Sequence, residues 1–364
     1  MSLATALSGA PTPSPSPSPL QPLDSGTLRR AQHLAIVAAA VVVGALSWLV
    51  QGTSPNWARW IVVTLLAYCI GIFVVSRLVE GARHATDRLS TAIMTSAFCI
   101  VLLPLVSVVW TVVQRGWGRM DSLFFTDTMR GVVGEGGGAW HAIVGTLIVT
   151  GLTALMSVPF GLFTAIYLVE YGKGRLARAI TSMVDVMTGI PSIVAGLFAY
   201  ALFVIWQGPG ARSGLAGAVA LTVLMTPVVI RATEEMLRLV PDELREASYA
   251  LGVPKWKTIV RVVLPTAIGG ILTGVTLAIA RVIGETAPLL VTAGLAQDTN
   301  LNPVSGRMTT LPVFAFYNYA QPGVPPQNGL DRAWAAALTL IIVVAILFTV
   351  ARILAKILKP KGLR

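Results

Sequence analysis

Charged side chains are scarce in this sequence of 364 residues: Asp, Glu, Lys and Arg together make up 12% of it, while hydrophobic residues make up 55%. A soluble domain carries about twice that share of charge, and the mean hydropathy is +0.75. The apolar residues lie in runs of about 18 or more, enough to cross roughly 30 Å of hydrocarbon. Because the runs are continuous rather than alternating, they predict helices rather than the strands of a barrel. The predicted fold class is an all-α polytopic membrane protein.

Eight spans are predicted from these apolar runs. The first two form a hairpin that is hydrophobic throughout, and the remaining six make a self-contained core. The predicted bounds are 34–51, 57–79, 91–113, 141–168, 183–206, 214–233, 266–292 and 333–355.

The ends of the chain differ in composition from the spans. The first residues are rich in alternating proline and serine, which can build neither a helix nor a core. The apolar run after Arg29 and Arg30 is long enough to span, so it is interpreted as a retained helix rather than a cleaved signal. The predicted organisation is a disordered leader at 1–30, an extra hairpin at 31–90, a permease-like core at 91–356 with a polar loop at 235–265, and a basic tail at 357–364.

Cysteine and histidine are also rare, with two and three residues. Cys69 and Cys99 fall inside predicted spans, at no spacing typical of a disulfide or a metal site, and are interpreted as small buried apolar residues. His33, His84 and His141 are isolated along the chain and are interpreted as interfacial side chains. The sequence has no nucleophile–base constellation and no GxxxxGK[ST] loop, so any nucleotide hydrolysis must take place on another chain.

The net charge of +11 would suit a nucleic acid, but its placement favours a membrane orientation instead. With the N-terminus in the cytoplasm, nineteen Lys and Arg residues fall on the inner side and seven on the outer side, in agreement with the positive-inside rule. Eight of the nine tryptophans lie at the outer ends of spans, the interfacial position that tryptophan favours. These patterns predict two cytoplasmic termini, a surrounding lipid bilayer and no nucleic-acid partner.

A polar segment at 246–265, EASYALGVPKWKTIVRVVLP, interrupts the apolar chain. Pro241 cannot continue the preceding helix, and the acidic residues after it suit a helix start. We expect a short helix at 242–251, ended by Gly252 with a positive φ, and a second helix from near Pro254. Unless this is a plain cytoplasmic loop, the unit presents an apolar and acidic surface that can insert into a groove of a partner.

The same segment resembles the EAA signature of ABC importer permeases, in which EAA is followed by three residues, Gly, nine residues and I-x-L-P. Ser248 replaces the third Ala and Val262 replaces Ile, and both changes are small enough to leave the interpretation unaltered. The resemblance implies that this helix–turn–helix docks into a cytoplasmic ATPase subunit. The matching positions are Glu246, Ala247, Gly252, Leu264 and Pro265.

The seventh predicted span combines small residues with an unusual pair of charges. Charges within a span are expensive and usually functional. Arg281 and Glu285 are four residues apart and can meet on a helix, so they either form an ion pair that holds the fold or line a path for an anion. In the second case Arg281 contacts the anion, since its guanidinium matches oxyanions in pairs, and Glu285 tunes or gates the path. Small residues that let another helix approach closely lie on the same face: Gly270, Gly274, Ala278 and Gly284.

A helix-breaking sequence interrupts the fifth predicted span. Gly189 and Pro191 flank Ile190 and are predicted to kink or unwind the helix, either as a purely structural kink or to free backbone groups near a path. Asp185 lies just before them and could neutralise an arginine such as Arg281 or Arg178.

Arg231 lies near the inner end of the sixth predicted span. Its spacing allows a pair with Glu234 or Glu235. It is interpreted either as an interfacial arginine that extends towards the headgroups or as a contact for an anion leaving on the cytoplasmic side.

Two further stretches make the family resemblance more specific. Asp185–Phe198 reads DVMTGIPSIVAGLF, and residues 280–294 read ARVIGETAPLLVTAG. They are similar to the D-x-x-T-G-x-P-S-I-V-x-G-L-F and R-x-x-G-E-T-A-P-L-L signatures of PstA-type phosphate permeases. The resemblance covers about 91–356 and implies an ABC importer type I core of six transmembrane helices. The extra hairpin and the leader depart from the usual six-span pattern.

The resemblance implies the permease subunit of an ATP-driven phosphate importer in a bacterial plasma membrane. It implies a PstC-type permease, two PstB-type ATPase subunits and a PstS-type phosphate-binding protein as partners, with inorganic phosphate as substrate. It implies no cofactor on this chain, because ATP and Mg bind the ATPase. The long outer loops at 114–140 and 293–332 are either flexible connectors or a docking surface for the binding protein.

Three alternative functions stay open from the sequence. A permease for sulfate or molybdate is disfavoured by the GETAPLL stretch, and an ATP-independent anion channel or exchanger by the EAA loop. A membrane-embedded enzyme is disfavoured because the spans lack paired catalytic residues.

Overall fold

The computed structural model of the chain describes residue 28, residues 30–49 and residues 57–358. Regular structure in these residues is helical throughout, without a strand, which confirms the predicted fold class. Most of the predicted leader, the turn between the first two spans and nearly all of the predicted tail lie outside the described residues. The chain divides into two compact units, Met1–Val108 and Val109–Arg364.

The first unit contains α1 (Arg30–Leu49), α2 (Trp57–Val79) and the beginning of α3 (Ala82–Gly116). α1 and α2 pack closely, and a Cβ atom added to Gly44 would lie only 2.0 Å from Oγ1 of Thr64. The buried apolar centre of this unit is small, while many of its large apolar side chains are exposed. Outward apolar faces are expected of helices surrounded by lipid, whose tails are as apolar as leucine.

A polar cluster lies between α2 and α3. The carboxylate of Glu80 accepts hydrogen bonds from the Arg88 guanidinium at 2.9 Å, the Ser76 hydroxyl at 2.7 Å and the Leu28 backbone N–H at 2.6 Å. The hydrogen bond from Arg88 is the main cause that lowers the pKa of Glu80 from 4.5 to about 2, against the opposing effect of burial. The cluster therefore holds a charged carboxylate at neutral pH.

The second unit begins inside α3 and contains eleven further helices among the described residues. A 3₁₀ turn at Trp117–Arg119 follows α3. The helices are α4 (Ser122–Thr126), α5 (Trp140–Ile166, extended by a π turn at Tyr167–Tyr171), α6 (Gly174–Thr188), α7 (Ser192–Gln207), α8 (Gly214–Arg238), α9 (Asp242–Ala250), α10 (Lys255–Thr258, followed by a π turn at Ile259–Val263), α11 (Leu264–Ile283), α12 (Ala287–Thr292), α13 (Leu311–Ala320) and α14 (Pro326–Leu358).

Helix α8 is the centre of the second unit, because it packs against both α5 and α11. Its buried Met225 and Val229 share one apolar cluster with Val149 of α5 and Val282 of α11. The approach to α5 is close, since a Cβ atom added to Gly161 would lie 2.7 Å from Cγ1 of Val229. Movement of one of these three helices is therefore passed to the others through direct packing.

Seven helices of the described chain are long and apolar enough to cross a membrane, and α6 with α7 makes an eighth if the bent pair is one span. This agrees with the eight predicted spans. The chain is thus a multi-pass membrane protein.

The fifth predicted span, 183–206, is not a straight helix. α6 and α7 are bent by 107° relative to each other, and the break falls at the predicted Gly189–Ile190–Pro191 sequence. Proline lacks the N–H that a continuous helix needs, and it disfavours helical geometry in the residue before it. Pro191 therefore precedes the first turn of α7 instead of continuing α6.

The seventh predicted span, 266–292, is also broken, which the sequence analysis did not expect. α11 ends at Ile283 and α12 starts at Ala287. Pro288 explains the break, because in a continuous helix its ring would clash with the carbonyl of Gly284 and it has no N–H to donate to that oxygen. The Gly-Glu-Thr sequence between the two helices is therefore not helical.

Candidate functional site

Helices α9 and α10 with the turn between them form a hairpin, called the coupling hairpin below (242–258). α9 begins after Pro241 with two acidic residues in its first turn, where they suit the positive end of the helix dipole. Gly252 in the turn has φ +73°, and Pro254 precedes α10. The two helices and the glycine turn predicted from the sequence are confirmed.

A buried hydrogen bond joins the two helices of the coupling hairpin. The hydroxyl of Ser248 lies 2.8 Å from Oγ1 of Thr258, and both side chains are buried. The sequence analysis treated Ser248 as a change without consequence, whereas an alanine at this position has no hydroxyl to make this bond. The replacement therefore contributes a specific contact to the hairpin.

The outer surface of the coupling hairpin is apolar and exposed. Leu251 is 83% exposed and Trp256 is 60% exposed, while Glu246 and Ala247 of the signature are also exposed. Large apolar side chains grouped with an acidic one on a polar segment are typical of an interaction surface. This surface has the composition that the sequence predicted for docking into a partner.

The base of the coupling hairpin is fastened to the end of α5. Arg245 donates two hydrogen bonds to Oε1 of Glu170, at 3.0 and 3.1 Å, and both side chains are largely buried. The same guanidinium donates to the carbonyls of Val240 at 2.7 Å and Leu237 at 3.0 Å. Lys255 adds a hydrogen bond to the backbone carbonyl of Glu170. Sequence analysis missed this contact because Glu170 and Arg245 lie far apart along the chain.

Arg231 of α8 is held in a charged cluster rather than extending alone. Its guanidinium donates to Glu234 at 2.9 Å and forms an ion pair with Asp185 of α6. Glu234, with a side chain only 5% exposed, also pairs with Arg238. The pair with Glu234 is one that the sequence allowed. Asp185 pairs with an arginine, as the sequence suggested, but the arginine is Arg231 rather than either example named, Arg281 or Arg178.

Arg281 and Glu285 are close neighbours without an ion pair. Arg281 lies in the last turn of α11, and Glu285 follows the end of that helix, so the helical spacing that would bring them together is lost. The structure describes both side chains, and no salt bridge joins Arg281 to Glu285. Both line a crevice of about 10 Å³ against α8, which has room for about one water. Apart from this crevice, the Arg281 side chain is exposed in the isolated chain.

The small residues of α11 lie against α8. A Cβ atom added to Gly274 would lie 2.6 Å from Cβ of Ala232, and one added to Gly270 would lie 2.2 Å from Sδ of Met236. At the other end of this segment, Leu264 and Pro265 start α11 directly after a π turn. Pro265 cannot donate to the carbonyl four residues earlier, which explains why the regular helix starts anew there. Gly284 lies at the break beyond Ile283. The chain runs without a gap from α10 through the π turn into α11, so the coupling hairpin is directly connected to the helix that bears the small residues.

The two long outer loops form one packed region. The Met129 N–H donates to the Gln297 carbonyl at 3.0 Å, and Arg130 pairs with Asp298 at 3.0 Å. His141 is buried in this region, and its ring lies edge-on to Phe314 at 5.4 Å between centroids. The interpretation of His141 as an interfacial side chain was therefore wrong, because the outer loops cover it.

Comparison with known proteins gives one family. The family described as "Binding-protein-dependent transport system inner membrane component" matches residues 157–362. "Phosphate transport system permease protein PstA 1" of Mycobacterium tuberculosis (strain ATCC 25618 / H37Rv) is 50% identical over 275 residues, which cover 75% of this chain and 88% of that protein. "Phosphate transport system permease protein PstA" of Yersinia pestis is 37% identical over 276 residues, covering 76% of this chain and 92% of that protein.

Among solved structures, an inward facing conformation of the MetNI methionine ABC transporter is similar to this chain with a TM-score of 0.49 and 21% sequence identity. The match covers 60% of this chain and 95% of that chain.

Proposed function

This chain belongs to the family of binding-protein-dependent transport system inner membrane components, and from that premise we propose that it is the membrane-spanning permease subunit of an ATP-driven phosphate importer. The relatives named as phosphate transport system permease proteins support phosphate as the substrate. The GETAPLL stretch around Glu285, which resembles the phosphate permease signature, supports it independently of the EAA loop.

The observation that carries the proposal is the coupling hairpin. It exposes apolar side chains at Leu251 and Trp256 beside the acidic Glu246, as a surface for an ATPase subunit requires. Its two helices are joined by the bond between Ser248 and Thr258, so the hairpin moves as one piece when a partner displaces it. A channel that opens without ATP would need no such surface.

Displacement of the hairpin reaches the membrane core by two physical routes. One is the buried pair of Arg245 with Glu170 at the end of α5. The other is the continuous segment from α10 into α11. Both α5 and α11 pack on α8, so these three helices respond together to a push at the hairpin. Closure of two ATPase subunits would thus rock this chain against a second permease half and open the path first outward and then inward.

The anion path is proposed to pass Arg281. An arginine without a salt bridge to Glu285 keeps its fork of donors available for an oxyanion, and Arg281 opens to the face where a second permease half would lie. Glu285 beside it would lower the affinity for the anion enough for release. On the cytoplasmic side, Arg231 and Asp185 are proposed to line the exit between α6 and α8.

The proposed partners follow from the same function. They are a PstC-type permease, two PstB-type ATPase subunits that bind ATP and Mg, and a PstS-type phosphate-binding protein that delivers phosphate. No cofactor is proposed on this chain. We place the protein in a bacterial plasma membrane with both termini in the cytoplasm, because that orientation puts most Lys and Arg residues inside and turns the coupling hairpin to the ATPase.

The test is uptake of radiolabelled phosphate in cells that depend on this chain, with the wild type compared to Arg281→Gln. We expect uptake to be lost while the ATPase still copurifies with the variant. Arg130→Gln, an exposed outer arginine, is the matched control and should transport normally.

Two results would contradict the proposal. If cells with the wild-type chain take up sulfate and not phosphate, the substrate is wrong. If phosphate uptake persists in Arg281→Gln, the anion path does not use Arg281, although the transport function stands.

A further inference from the structure

A cavity of about 380 Å³ lies within the packed outer loops, lined by the start of α5, α13, the start of α14 and the loops around them. Its walls are mainly apolar, with Met129, Leu295, Phe314 and Pro322 among the lining residues. A volume of roughly 300–1,000 Å³ with apolar walls and a few polar groups is typical of sites for small molecules. The polar groups of this cavity therefore indicate which ligand it suits.

Arg332 of α14 lines this cavity and is only 6% exposed. Its guanidinium donates to the carbonyls of Gly134 at 2.9 Å and Gly136 at 3.1 Å, and to Oδ1 of Asn318 at 3.2 Å. None of these acceptors carries a charge, and within the described part of the chain no carboxylate lies within ion-pair distance of it. A buried cation is costly unless an anion is near. Within hydrogen-bond distance, the Arg332 guanidinium therefore contacts only neutral acceptors of the described chain.

The nearby acids do not supply that charge. Glu135 and Asp331 line a second cavity of about 230 Å³, which Arg332 also borders. Neither of these two acids forms a salt bridge with Arg332 in the described part of the chain, and Arg119, a second cation of that cavity, pairs with Asp121 instead. The larger cavity has no acidic lining residue among those that the structure describes, so on its side Arg332 faces no negative group of this chain.

His141 supplies a second, independent sign of a ligand. It is 3% exposed and lines the same cavity, and its Nδ1 is buried without a hydrogen-bond partner among the described residues. A buried polar atom without a partner costs about 1–3 kcal/mol. A ligand oxygen in the cavity would supply the missing partner when Nδ1 carries a proton.

We propose that this outer cavity is a binding site for a small ligand with an oxyanion group, held by the guanidinium of Arg332 and by His141. The arginine uses three acceptors in the structure and has five N–H groups, so donors remain for the oxyanion. The apolar walls suit an organic body attached to that group. Inorganic phosphate and a phosphate monoester share the recognised chemistry. The site is distinct from the path proposed at Arg281 and does not depend on the transport function.

Equilibrium binding of radiolabelled inorganic phosphate to the purified full-length chain in lipid nanodiscs tests the proposal. Arg281→Gln serves as the background, so that only the outer cavity is measured. We expect saturable binding that falls roughly tenfold or more on adding Arg332→Gln, because a charge-assisted contact is lost. Adding Arg83→Gln instead, which removes an exposed arginine outside this cavity, should leave binding unchanged. Competition with phenyl phosphate then shows whether an organic body strengthens binding.

A second measurement guards against misfolding of the Arg332 variant. Phenylglyoxal modifies arginines, and mass spectrometry of the unmutated chain reads the modification at each site. Phosphate or phenyl phosphate should protect Arg332 and leave Arg130 reactive. His141→Phe, which preserves the ring shape against Phe314, should weaken binding roughly threefold or more because one hydrogen bond is lost.

The proposal is overturned if the Arg281→Gln background binds no phosphate and neither anion protects Arg332. It is also overturned if Arg332→Gln binds as well as its background. Protection of Arg332 only by an added extracytoplasmic partner protein would assign the cavity to an acidic side chain of that partner instead. Binding at the cavity together with no phosphate uptake by the unmutated chain would contradict the proposed function alone.

Discussion

Two arginines of the second unit, Arg245 and Arg231, and two others, Arg281 and Arg332, have opposite surroundings. Arg245 and Arg231 each contact carboxylates that join one helix to another. Arg281 and Arg332 have no carboxylate within ion-pair distance among the described residues, although Arg332 is buried. Pairing with a carboxylate ties Arg245 and Arg231 to a neighbouring helix, whereas Arg281 and Arg332 keep donors without a carboxylate partner. A structural role is therefore expected of the first two, and a ligand is proposed for the other two.

The largest loss of stability is expected when the ion pair of Glu170 with Arg245 is removed. Glu170→Gln leaves a buried guanidinium without its main counter-ion, and we expect a loss of about 3 kcal/mol in the free energy of unfolding. Chemical denaturation of the purified chain in mixed micelles measures it. Glu170→Gln combined with Arg245→Met should recover most of the loss, because no unpaired charge then remains. An equal loss in the double variant would show that packing, rather than charge, holds the hairpin to α5.

Glu234 tests the second paired cluster. Glu234→Gln removes the charge that both Arg231 and Arg238 contact, and we expect destabilisation of about 2 kcal/mol, read by the same denaturation experiment. The neighbouring Glu235→Gln is the matched control, because Glu235 is exposed and its change should have almost no effect. Similar losses for the two variants would mean that the buried charge of Glu234 does not stabilise this cluster of α8.

A third prediction concerns the hydrogen bond between Ser248 and Thr258 inside the coupling hairpin. Ser248→Ala restores the residue of the family signature, yet it removes the hydrogen bond to Thr258, so we expect a loss of about 1 kcal/mol. Thr258→Val should cost a similar amount, and the double variant should cost less than the sum, because the two changes remove one bond. Strictly additive losses in this cycle would rule out a direct interaction between the two side chains.

The Glu80 cluster of the first unit tests a paired arginine through pH rather than through mutation alone. The pKa of Glu80 is lowered from 4.5 to about 2, so its contribution to stability is fully present above pH 4.5 and is lost as the pH falls towards 2. Hydrogen exchange at the junction of α2 and α3, followed from pH 5 to pH 2, should show faster exchange at the acid end. Glu80→Gln should exchange faster at pH 5 and change less with pH. A wild-type profile that matches the variant would contradict the role of Arg88.

The spans could be predicted from sequence because hydrophobic length is a local property. Each apolar run corresponds to one helix or, in two cases, to a broken pair. The break at Gly189–Ile190–Pro191 was predicted, since glycine before proline is a plain signal. The break at Gly284 was not predicted, because the apolar run continues past Pro288 and was long enough to be interpreted as one span.

The charge pairs could not be predicted in the same way. Asp185 and Arg231 lie on different helices, as do Glu170 and Arg245, and nothing in their spacing distinguishes them from other acids and bases. Arg332 and His141 were likewise indistinguishable from ordinary interfacial residues. The burial of Arg332 and His141, and the lack of a partner for His141 Nδ1, become apparent only when the loops around them are packed in the structure.

The sequence by itself determined the helical membrane class, the helix–turn–helix at 242–258 and the family, because these depend on composition and on short-range order along the chain. The tertiary structure alone decided which arginines are paired, where α11 ends relative to Glu285, and that the outer loops enclose a cavity. Burial and ion pairing depend on which segments meet in space. That depends on the packing of the whole unit rather than on any local pattern.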